Sequence, residues 1–305
     1  MKKILFASIL LICSIGCSSD DEQPNVDNQG DILVSYTHDI ETNDEKRHTF
    51  TDSGAKFDKV FNNNGELIEE FNYNSNNQLS TVKLYGNTSL KTYSFTYKNG
   101  NIESLTIEES VSGEIISSEI KNYIHENNKI VVEGANFPEG IYKEAYTFNS
   151  EGKIIKIENY RKRPNFNDFE FYDFTYQYDN QGRTKGFTNR EGFYVPDNDF
   201  YSVEDILLGS YSYFNDVNNP FFKATSPIYI NAILAPELFN KGMFRNGLIG
   251  TAEESFLSEY GWAYDVTYKE YVLIREENLT VQPNKLPQSG YVGLNARKFE
   301  FTYEE

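Results

Sequence analysis

A short acidic stretch in the second half of the chain has the residue types that could bind a metal ion. It reads Asp197-Asn198-Asp199, and Glu204 and Asp205 follow closely. Carboxylate and amide oxygens are the ligands that calcium prefers. The stretch lacks the glycine and glutamate spacing of an EF-hand loop, so a loop followed by a helix cap is the alternative interpretation. Asp197 and Asp199 are the candidate metal ligands.

Catalytic chemistry has little support elsewhere. The three histidines, His38, His48 and His125, show no paired zinc-binding spacing. No Gly-x-Ser-x-Gly motif and no phosphate-binding glycine loop is present. A glycoside hydrolase needs only two carboxylates at a fixed separation, but 46 acidic residues leave the pair unspecified. The sequence therefore favours a non-enzymatic protein without a cofactor, and a carboxylate-dependent hydrolase of surface polysaccharide is an alternative.

Aromatic residues are the other candidates for ligand contact. The chain has 23 Tyr, 23 Phe and one Trp. Exposed rings could stack on sugars, whereas paired rings on neighbouring strands would contribute about 0.2–1 kcal/mol each to the sheet. Cross-strand pairing explains most of them, because they recur with a regular spacing. Trp262 lies outside the repeated segments described below and is the candidate ligand contact.

The N-terminus has the pattern of an export signal. Lys2 and Lys3 precede an apolar run over 4–15, which is shorter than the roughly 20 residues of a membrane span and is typical of a signal peptide. The following Ser14-Ile15-Gly16-Cys17 resembles a bacterial lipobox, in which the cysteine thiol carries the lipid. We expect a signal peptide over 1–16 and a lipidated Cys17, with an ordinary signal peptide and an incidental cysteine as the alternative. Acyl chains would anchor the protein at about 0.8 kcal/mol per buried methylene.

The acidic segment after the cysteine is also a candidate localisation signal. Ser18-Ser19-Asp20-Asp21-Glu22 resembles the acidic export tag of Bacteroidota surface lipoproteins. That resemblance implies the outer membrane, with the protein facing the cell exterior; a solvated acidic tether is the alternative. Residues 17–30 are polar, and we expect a flexible, lipidated tether.

The charge balance excludes one class of partner. Removal of 1–16 leaves 26 basic residues against 46 acidic ones, a formal charge of −20. Such a surface repels phosphate backbones, so nucleic-acid binding is not expected. The one dense basic run, Arg161-Lys162-Arg163, is interpreted as a solvated turn. No thiol other than that of Cys17 remains after Cys13 is removed, so no disulfide is expected.

A turn motif recurs along the first half of the chain. Four copies share one spacing, in which an aromatic residue is followed six residues later by Leu, Ile or Thr; they are Phe61–Leu67, Tyr73–Leu79, Phe148–Ile154 and Tyr178–Thr184. Tyr97–Ile102 and His125–Ile130 are one residue shorter. Asn and Gly tolerate positive φ, and Asn and Asp side chains bond to their own backbone, so each copy predicts a hairpin tip. Turn centres then lie near 63, 75, 87, 99, 113, 127, 138, 151, 165 and 181, about 12 residues apart.

This spacing predicts the fold class. Strands of about eight residues between regular turns make a mainly β protein, an antiparallel meander of repeated β-hairpins over 31–195. The motif resembles the tyrosine-aspartate (YD) repeat of Rhs and teneurin-like proteins. The chain is most similar to Bacteroidota lipoproteins of unknown function that carry a few degenerate copies of it, and an Asn-Pro-Phe at 219–221 is similar to a feature of the same proteins.

The periodicity ends in the second half, over 196–305. We expect a helix- and loop-rich insertion over 200–261, with one helix starting at Ser202 and stopping at Gly209, and another starting at the capping box of Thr251 and stopping at Gly261. Pro227 and Pro236 suit first helical turns. Closing strands should follow and pack on the same sheet. The last of them, the alternating Phe299 to Tyr303, must be paired, because an exposed edge of that kind would aggregate.

The sequence favours a lipid-anchored surface protein with a binding or scaffolding role. Its ligand would be a glycan or a protein, and its contact with the membrane would be through the lipid alone. Besides the hydrolase, an accessory subunit of an outer-membrane transport complex is the remaining alternative.

Overall fold

The fold is described from a computed structural model of the chain. It describes residues 32–39, 45–134, 141–163, 165–166, 168–195, 199–239, 253–264, 268–273, 279–292 and 297–304. The predicted signal peptide, Cys17 and the predicted tether therefore lie outside the described residues, and they stay predictions.

Strands make up most of the described chain. In the first half they are β1 (Ile32–Asp39), β2 (Glu45–Thr51), β3 (Lys56–Phe61), β4 (Leu67–Tyr73), β5 (Leu79–Tyr85), β6 (Ser89–Lys98), β7 (Asn101–Val111), β8 (Glu114–Glu126), β9 (Lys129–Gly134) and β10 (Ile141–Phe148). In the second half they are β11 (Ile154–Lys162), β12 (Phe169–Tyr178), β13 (Thr184–Val195), β14 (Phe200–Asn218), β15 (Ser255–Tyr264), β16 (Tyr268–Leu273), β17 (Thr280–Val281), β18 (Pro287–Val292) and β19 (Arg297–Glu304).

The strands form one antiparallel meander, so the predicted fold class is confirmed. From β1 to β16 each strand pairs with the next one along the chain, and β17, β18 and β19 do the same. The final strand β19 pairs also with β1, from Ile32 opposite Glu304 to His38 opposite Phe299. The prediction that the last aromatic strand is paired is therefore confirmed. In the described residues no registered pair joins β16 to β17.

The predicted turns lie where the motif places them. Turns occur at each of the predicted centres except 138, which lies outside the described residues. In the four full copies the first turn residue is Asn62, Asn74, Asn149 or Asp179. Its Oδ1 accepts hydrogen bonds of 2.9–3.0 Å from the backbone N–H groups two and four residues later. The side chain thus closes the turn from within, which is why Asn or Asp stands at this position.

The fourth turn residue explains the glycines. It has positive φ in every full copy, at Gly65 (77°), Asn77 (60°), Gly152 (77°) and Gly182 (74°). Glycine has no Cβ to clash in this region, and Asn is the commonest exception. The aromatic residue before each turn is the cross-strand partner of the residue six positions later, as in Tyr178 opposite Thr184. The spacing of six is therefore the span of one hairpin tip with its β-bulge.

Several tyrosines also form a hydrogen bond to the backbone at the start of the preceding strand. Tyr97 Oη donates to the carbonyl of Leu79 at 2.6 Å, at the start of the neighbouring strand. The same bond joins Tyr178 to Ile154, Tyr213 to Thr184 and Tyr303 to Pro287. His125, which replaces the aromatic in its copy, places Nε2 2.7 Å from the carbonyl oxygen of Ile102. Since a carbonyl only accepts, the ring nitrogen donates, and histidine serves here as tyrosine does elsewhere.

One helical segment covers the inner face of the sheet. It comprises α1 (Phe222–Thr225), a 3₁₀ turn (Ser226–Ile228), α2 (Tyr229–Leu234) and α3 (Pro236–Phe239). Pro227 and Pro236 lie in first turns, as predicted. Phe221, just before the segment, packs edge-on against Tyr36 of β1 with ring centroids 5.1 Å apart.

Polar contacts tie the same segment to more distant strands. Asn231 donates to Tyr97 Oη of β6 at 2.8 Å, and the N–H of Ile154 in β11 donates to Tyr229 Oη at 3.2 Å. Burial raises the pKa of Tyr229 to about 12. The main hydrophobic core lies between this segment and the inner faces of β1 to β11, β14, β15 and β19.

Two predicted helices are wrong. Ser202 and Gly209 lie inside β14, whose residues pair with β13 from Phe200 to Ser210. A Cβ at Gly209 would lie 1.9 Å from the ring of Phe187, so this glycine serves close packing and is not a helix stop. Gly261 lies inside β15.

The residues of the supposed capping box that the structure describes have other partners. The buried Glu253 carboxylate accepts from the N–H and hydroxyl of Thr184, both at 3.0 Å, and from Lys153 Nζ at 2.9 Å. Glu253 therefore joins two hairpin tips and caps no helix. Among the described residues, no helix is long and apolar enough to cross a membrane.

Candidate functional site

Strands β11 to β14 carry a cluster of rings on the face directed away from the main core. The inner face of these strands carries Phe174, Tyr176 and Phe187, which pack inward. Side chains alternate between faces along a strand, so the register assigns four other rings to the opposite, outer face. These are Tyr160, Phe171, Tyr194 and Tyr201, which we call the outer aromatic cluster.

The four rings pack on one another. Tyr194 and Tyr201 are stacked with centroids 4.6 Å apart and planes at 29°. Phe171 meets Tyr201 edge-on at 5.4 Å, and Tyr160 meets Tyr194 edge-on at 5.6 Å. As a result Phe171 is only 1% exposed although it points away from the core, whereas Tyr201 above it is 41% exposed. The cluster thus buries Phe171 beneath Tyr201, while Tyr160 and Tyr194 are half-buried.

A glycine allows the fourth strand to approach the cluster. Gly192 lies opposite Phe171 on one side and Val203 on the other, next to a β-bulge in the β13–β14 pairing. A Cβ on Gly192 would lie 1.9 Å from the carbonyl oxygen of Ser202. The absence of a side chain therefore permits the local approach of β14 that brings Tyr201 over Phe171.

Two phenol groups of the cluster are hydrogen-bonded to each other. Tyr160 Oη and Tyr201 Oη lie 3.2 Å apart. Burial raises the pKa of Tyr160 well above its ordinary value, and the hydrogen bond to Tyr201 raises it further. The Tyr160 hydroxyl therefore stays protonated at neutral pH.

An exposed apolar row continues from the cluster along the outer face of β14. We call it the outer stripe, and it consists of Tyr201, Val203, Ile206 and Leu208, each 40–45% exposed. Strict alternation after Val203 would direct Asp205 outward. The β-bulge beside Gly192 adds one residue to β14, so Ile206, opposite Arg190, faces outward instead. Seven steps of about 3.3 Å make the stripe roughly 23 Å long. Contiguous exposed apolar surface of this kind marks interaction sites more often than scattered single residues do.

The charged residues beside the stripe form ion pairs with one another. Asp173 is buried and receives both Nε, at 2.9 Å, and Nη2 of Arg190. Glu158 stands opposite Asp173 across β11 and β12 and accepts from Lys156 at 3.0 Å. Each of these two carboxylates is therefore paired with a cation.

The prediction that Arg161-Lys162-Arg163 forms a solvated turn is wrong, because Arg161 and Lys162 are the last residues of β11 and Arg163, which follows the strand, is held by its neighbours. Arg163 lies between two rings, with its guanidinium carbon 4.2 Å from the Phe166 centroid and 4.1 Å from the Phe193 centroid. Its Nε also donates to Asp168 at 2.7 Å. The guanidinium holds the pKa of the Asp168 carboxyl below its ordinary value. Arg163 is thus fixed by cation–π and ionic contacts.

The structure does not gather the residues singled out in the sequence. The backbone of Trp262 lies in β15, opposite Gly209 and Glu270. Asp199 is exposed at the turn before β14 and accepts from Tyr194 Oη at 3.3 Å, whereas Asp197 lies outside the described residues. No group of three or more metal-binding side chains occurs within the described residues. The metal site at Asp197 and Asp199 and the ligand contact at Trp262 stay predictions.

Two of the histidines have structural surroundings. The ring of His48 is buried, with its centroid 5.6 Å from that of Tyr36. His125 fastens a hairpin, as described above.

The outer aromatic cluster was not predicted, although part of its signal is in the sequence. In Phe169 to Tyr178 (FEFYDFTYQY) aromatic residues occupy both alternating sets of positions. A strand with one buried face needs only one such set. An aromatic residue in the second set, such as Phe171, is the signal that the other face also packs against something.

Comparisons with known proteins give a likeness of fold only. No protein-family model matches the chain, and no curated protein matches it. A porin-like protein from Bacteroides vulgatus is similar over 90% of this chain and 99% of its own, with 14% identity and a TM-score of 0.43. A porin-like protein from Bacteroides uniformis is similar over 90% and 98%, with 12% identity and a TM-score of 0.31. The TcdB2–TccC3 structure is similar over 90% of this chain and 15% of its own, with 7% identity and a TM-score of 0.31. Likenesses this distant carry no argument about ligand or activity.

Proposed function

We propose that this protein is a lipid-anchored cell-surface protein that binds a protein partner through the outer stripe of β14. The observation that carries the proposal is the exposure of four consecutive outward-facing apolar side chains beside an aromatic cluster. Aromatic and Arg side chains are enriched where proteins bind one another, and charged residues are depleted from the centre of such surfaces. Val203, Ile206 and Leu208 offer an apolar surface that suits another protein better than a sugar.

Site-specific photo-cross-linking in intact cells tests the partner. A photoreactive residue at Leu208 should give a discrete cross-linked product, and one at the exposed turn residue Asn64 should not. The purified partner should then bind the full chain directly. Replacing Ile206 and Leu208 together with serine should weaken that binding about tenfold or more, since each loses roughly 1 kcal/mol of apolar burial. If the double variant bound with unchanged affinity and had an unchanged melting temperature, the outer stripe would not be part of the interface.

A glycan is the second candidate, because Tyr194 and Tyr201 form a stacked pair with hydroxyl groups at its edge. The apolar face of a pyranose ring can pack on such a ring. On a glycan array, binding that is lost in Tyr201→Ala but kept in the Ile206/Leu208 double variant would assign the site to a sugar. The reverse pattern would support the protein partner.

The proposed anchor has its own test. Cys17→Ala should abolish incorporation of a labelled fatty acid and release the protein from the membrane fraction. Cys13→Ala is the matched control, because that cysteine lies within the proposed signal peptide and should not affect labelling. Equal labelling of both variants would show that the lipid is attached elsewhere.

A further inference from the structure

The hairpin of β7 and β8 has an edge that the rest of the described sheet does not pair. Strand β8 pairs with β7 from Glu114 to Asn122, but its register with β9 begins only at Lys121 opposite Gly134. Within the described residues, nothing is registered against the other edge of 114–120. We call this stretch, Glu-Ile-Ile-Ser-Ser-Glu-Ile, the open edge. Alternate N–H and C=O groups along such an edge are directed outward and can pair with another strand.

Three side chains of the open edge are apolar and accessible. Ile115 is 62% exposed, Ile116 is 61% exposed and Ile120 is 38% exposed. Natural proteins normally protect a strand edge with lysine, proline or a covering loop. An edge that has no registered neighbour among the described residues and carries exposed isoleucines is instead a surface that a partner strand can use, since main-chain hydrogen bonds supply affinity and alternate side chains supply specificity.

The charge around the open edge specifies the occupant. Residues 107–120 contain four glutamates, Glu108, Glu109, Glu114 and Glu119, and no lysine or arginine. A second copy of this chain would bring four more glutamates to the same surface, and the whole chain has a formal charge of −18. An extended segment that alternates basic and apolar residues is complementary on both counts.

We infer that the open edge of β8 docks an extended basic and apolar segment of a partner protein as an added antiparallel strand. This surface is separate from the outer stripe, which lies on β14. Seven residues at about 3.4 Å each give a docking length of roughly 24 Å.

A synthetic peptide of alternating lysine and valine, seven residues long, provides the probe. It should bind the full chain in detergent saturably, and an alternating glutamate and valine peptide should bind at least tenfold more weakly. Two N-methylated forms of the lysine peptide separate strand addition from simple charge attraction. N-methyl groups along one edge should abolish binding, whereas the same number along the other edge should leave it within about twofold, because only one edge of an added strand faces β8.

Variants of the open edge locate the binding. Exchanging the exposed Glu114 for lysine should weaken binding of the lysine peptide and strengthen binding of the glutamate peptide. Exchanging Ile115 and Ile116 for threonine, which keeps strand propensity, should weaken the lysine peptide about tenfold. Exchanging the exposed Glu204 and Asp205 of β14 for lysine is the matched charge control and should leave binding unchanged.

Three results would overturn the inference. The first is no saturable binding up to about 1 mM peptide, and the second is equal binding by both N-methylated forms. The third is efficient disulfide dimerisation of Ser117→Cys in cells together with peptide binding that the dimer does not block. That result would assign the open edge to a second copy of this chain.

Discussion

Replacing Asp179 with alanine tests the hairpin tip that gives the chain its regular spacing. The Oδ1 atom of Asp179 accepts from the N–H groups of Gln181 and Arg183, both at 2.9 Å. The Oδ2 atom accepts from Arg183 Nε at 2.9 Å. Alanine removes all three hydrogen bonds. The residue with positive φ in this turn is Gly182, which the substitution does not change.

The expected loss follows from the number of bonds. A hydrogen bond contributes about 0.5–1.5 kcal/mol net, and an exposed ion pair contributes about 0–1 kcal/mol. Asp179→Ala should therefore lower the free energy of unfolding by about 2 kcal/mol. Asp179→Asn keeps the Oδ1 acceptor and matches the residue at Asn62, Asn74 and Asn149. It should lose only the ion pair, about 0.5 kcal/mol.

Urea unfolding followed by circular dichroism measures both variants, and the shift in midpoint at constant slope gives the difference. Equal destabilisation by asparagine and alanine would refute the reasoning, because it would make the charge and not the acceptor geometry responsible for the turn. An alanine variant as stable as the original chain would refute it as well.

The pH dependence provides a second readout of the same residue. Burial raises the pKa of Asp179. The hydrogen bonds from the Arg183 N–H, the Arg183 guanidinium and the Gln181 N–H together lower this pKa by more, so the net shift is downward. A carboxyl with a lowered folded pKa stabilises the fold fully above its unfolded value of about 3.9 and loses that contribution as the pH falls through the folded pKa. The difference between the original chain and Asp179→Ala should therefore shrink below about pH 4.

Further predictions concern the other recurring contacts, and the same unfolding measurement checks each. Gly182→Ala should cost about 1 kcal/mol, because alanine is strained at positive φ; no loss would contradict the turn geometry. Tyr178→Phe should cost about 1 kcal/mol by removing one hydrogen bond. His125→Tyr should stay within about 0.5 kcal/mol, since tyrosine makes the same bond in other copies; a large loss would separate His125 from the repeat. Arg190→Met should cost about 2 kcal/mol by leaving Asp173 buried without its cation, and adding Asp173→Asn should recover most of it.

Local chemistry made the first half of the chain predictable. The Asn or Asp at the start of each turn and the Gly at its fourth position act within five residues, so the positions of the hairpins follow from short-range sequence. The turn over 282–286 has the same backbone pattern but was not predicted. Its first residue is Gln282, whose side chain is longer than that of the Asn or Asp in the other copies. There Lys285 takes the positive φ (67°), and Asn284 accepts from the N–H of Leu286 at 3.1 Å.

Tertiary pairing decided the segment from Phe200 to Asn218. Ser202 and Gly209 are sound local signals for a helix, but a strand here pairs with β13 over ten registered positions, from Val195 opposite Phe200 to Gly186 opposite Ser210. The packing of Phe187 over Gly209 adds a contact that no local pattern contains. Long-range contacts of this kind outweigh local propensity, which amounts to tenths of a kcal/mol per residue.

By itself, the sequence determined the turns and the antiparallel meander, because each depends on neighbours a few residues apart. It also predicted that the final strand is paired, because its alternating aromatic residues must be covered, but only the tertiary structure shows that its partner on one side is β1. The sequence could not determine which rings face outward, since both alternating sets of positions in β12 carry aromatic residues. Only the register of four strands, with the bulge at Gly192, places Tyr201 over Phe171 and aligns the outer stripe. The edge of β8 was likewise decided by tertiary structure, because whether a strand has a neighbour depends on where the next strand begins to pair.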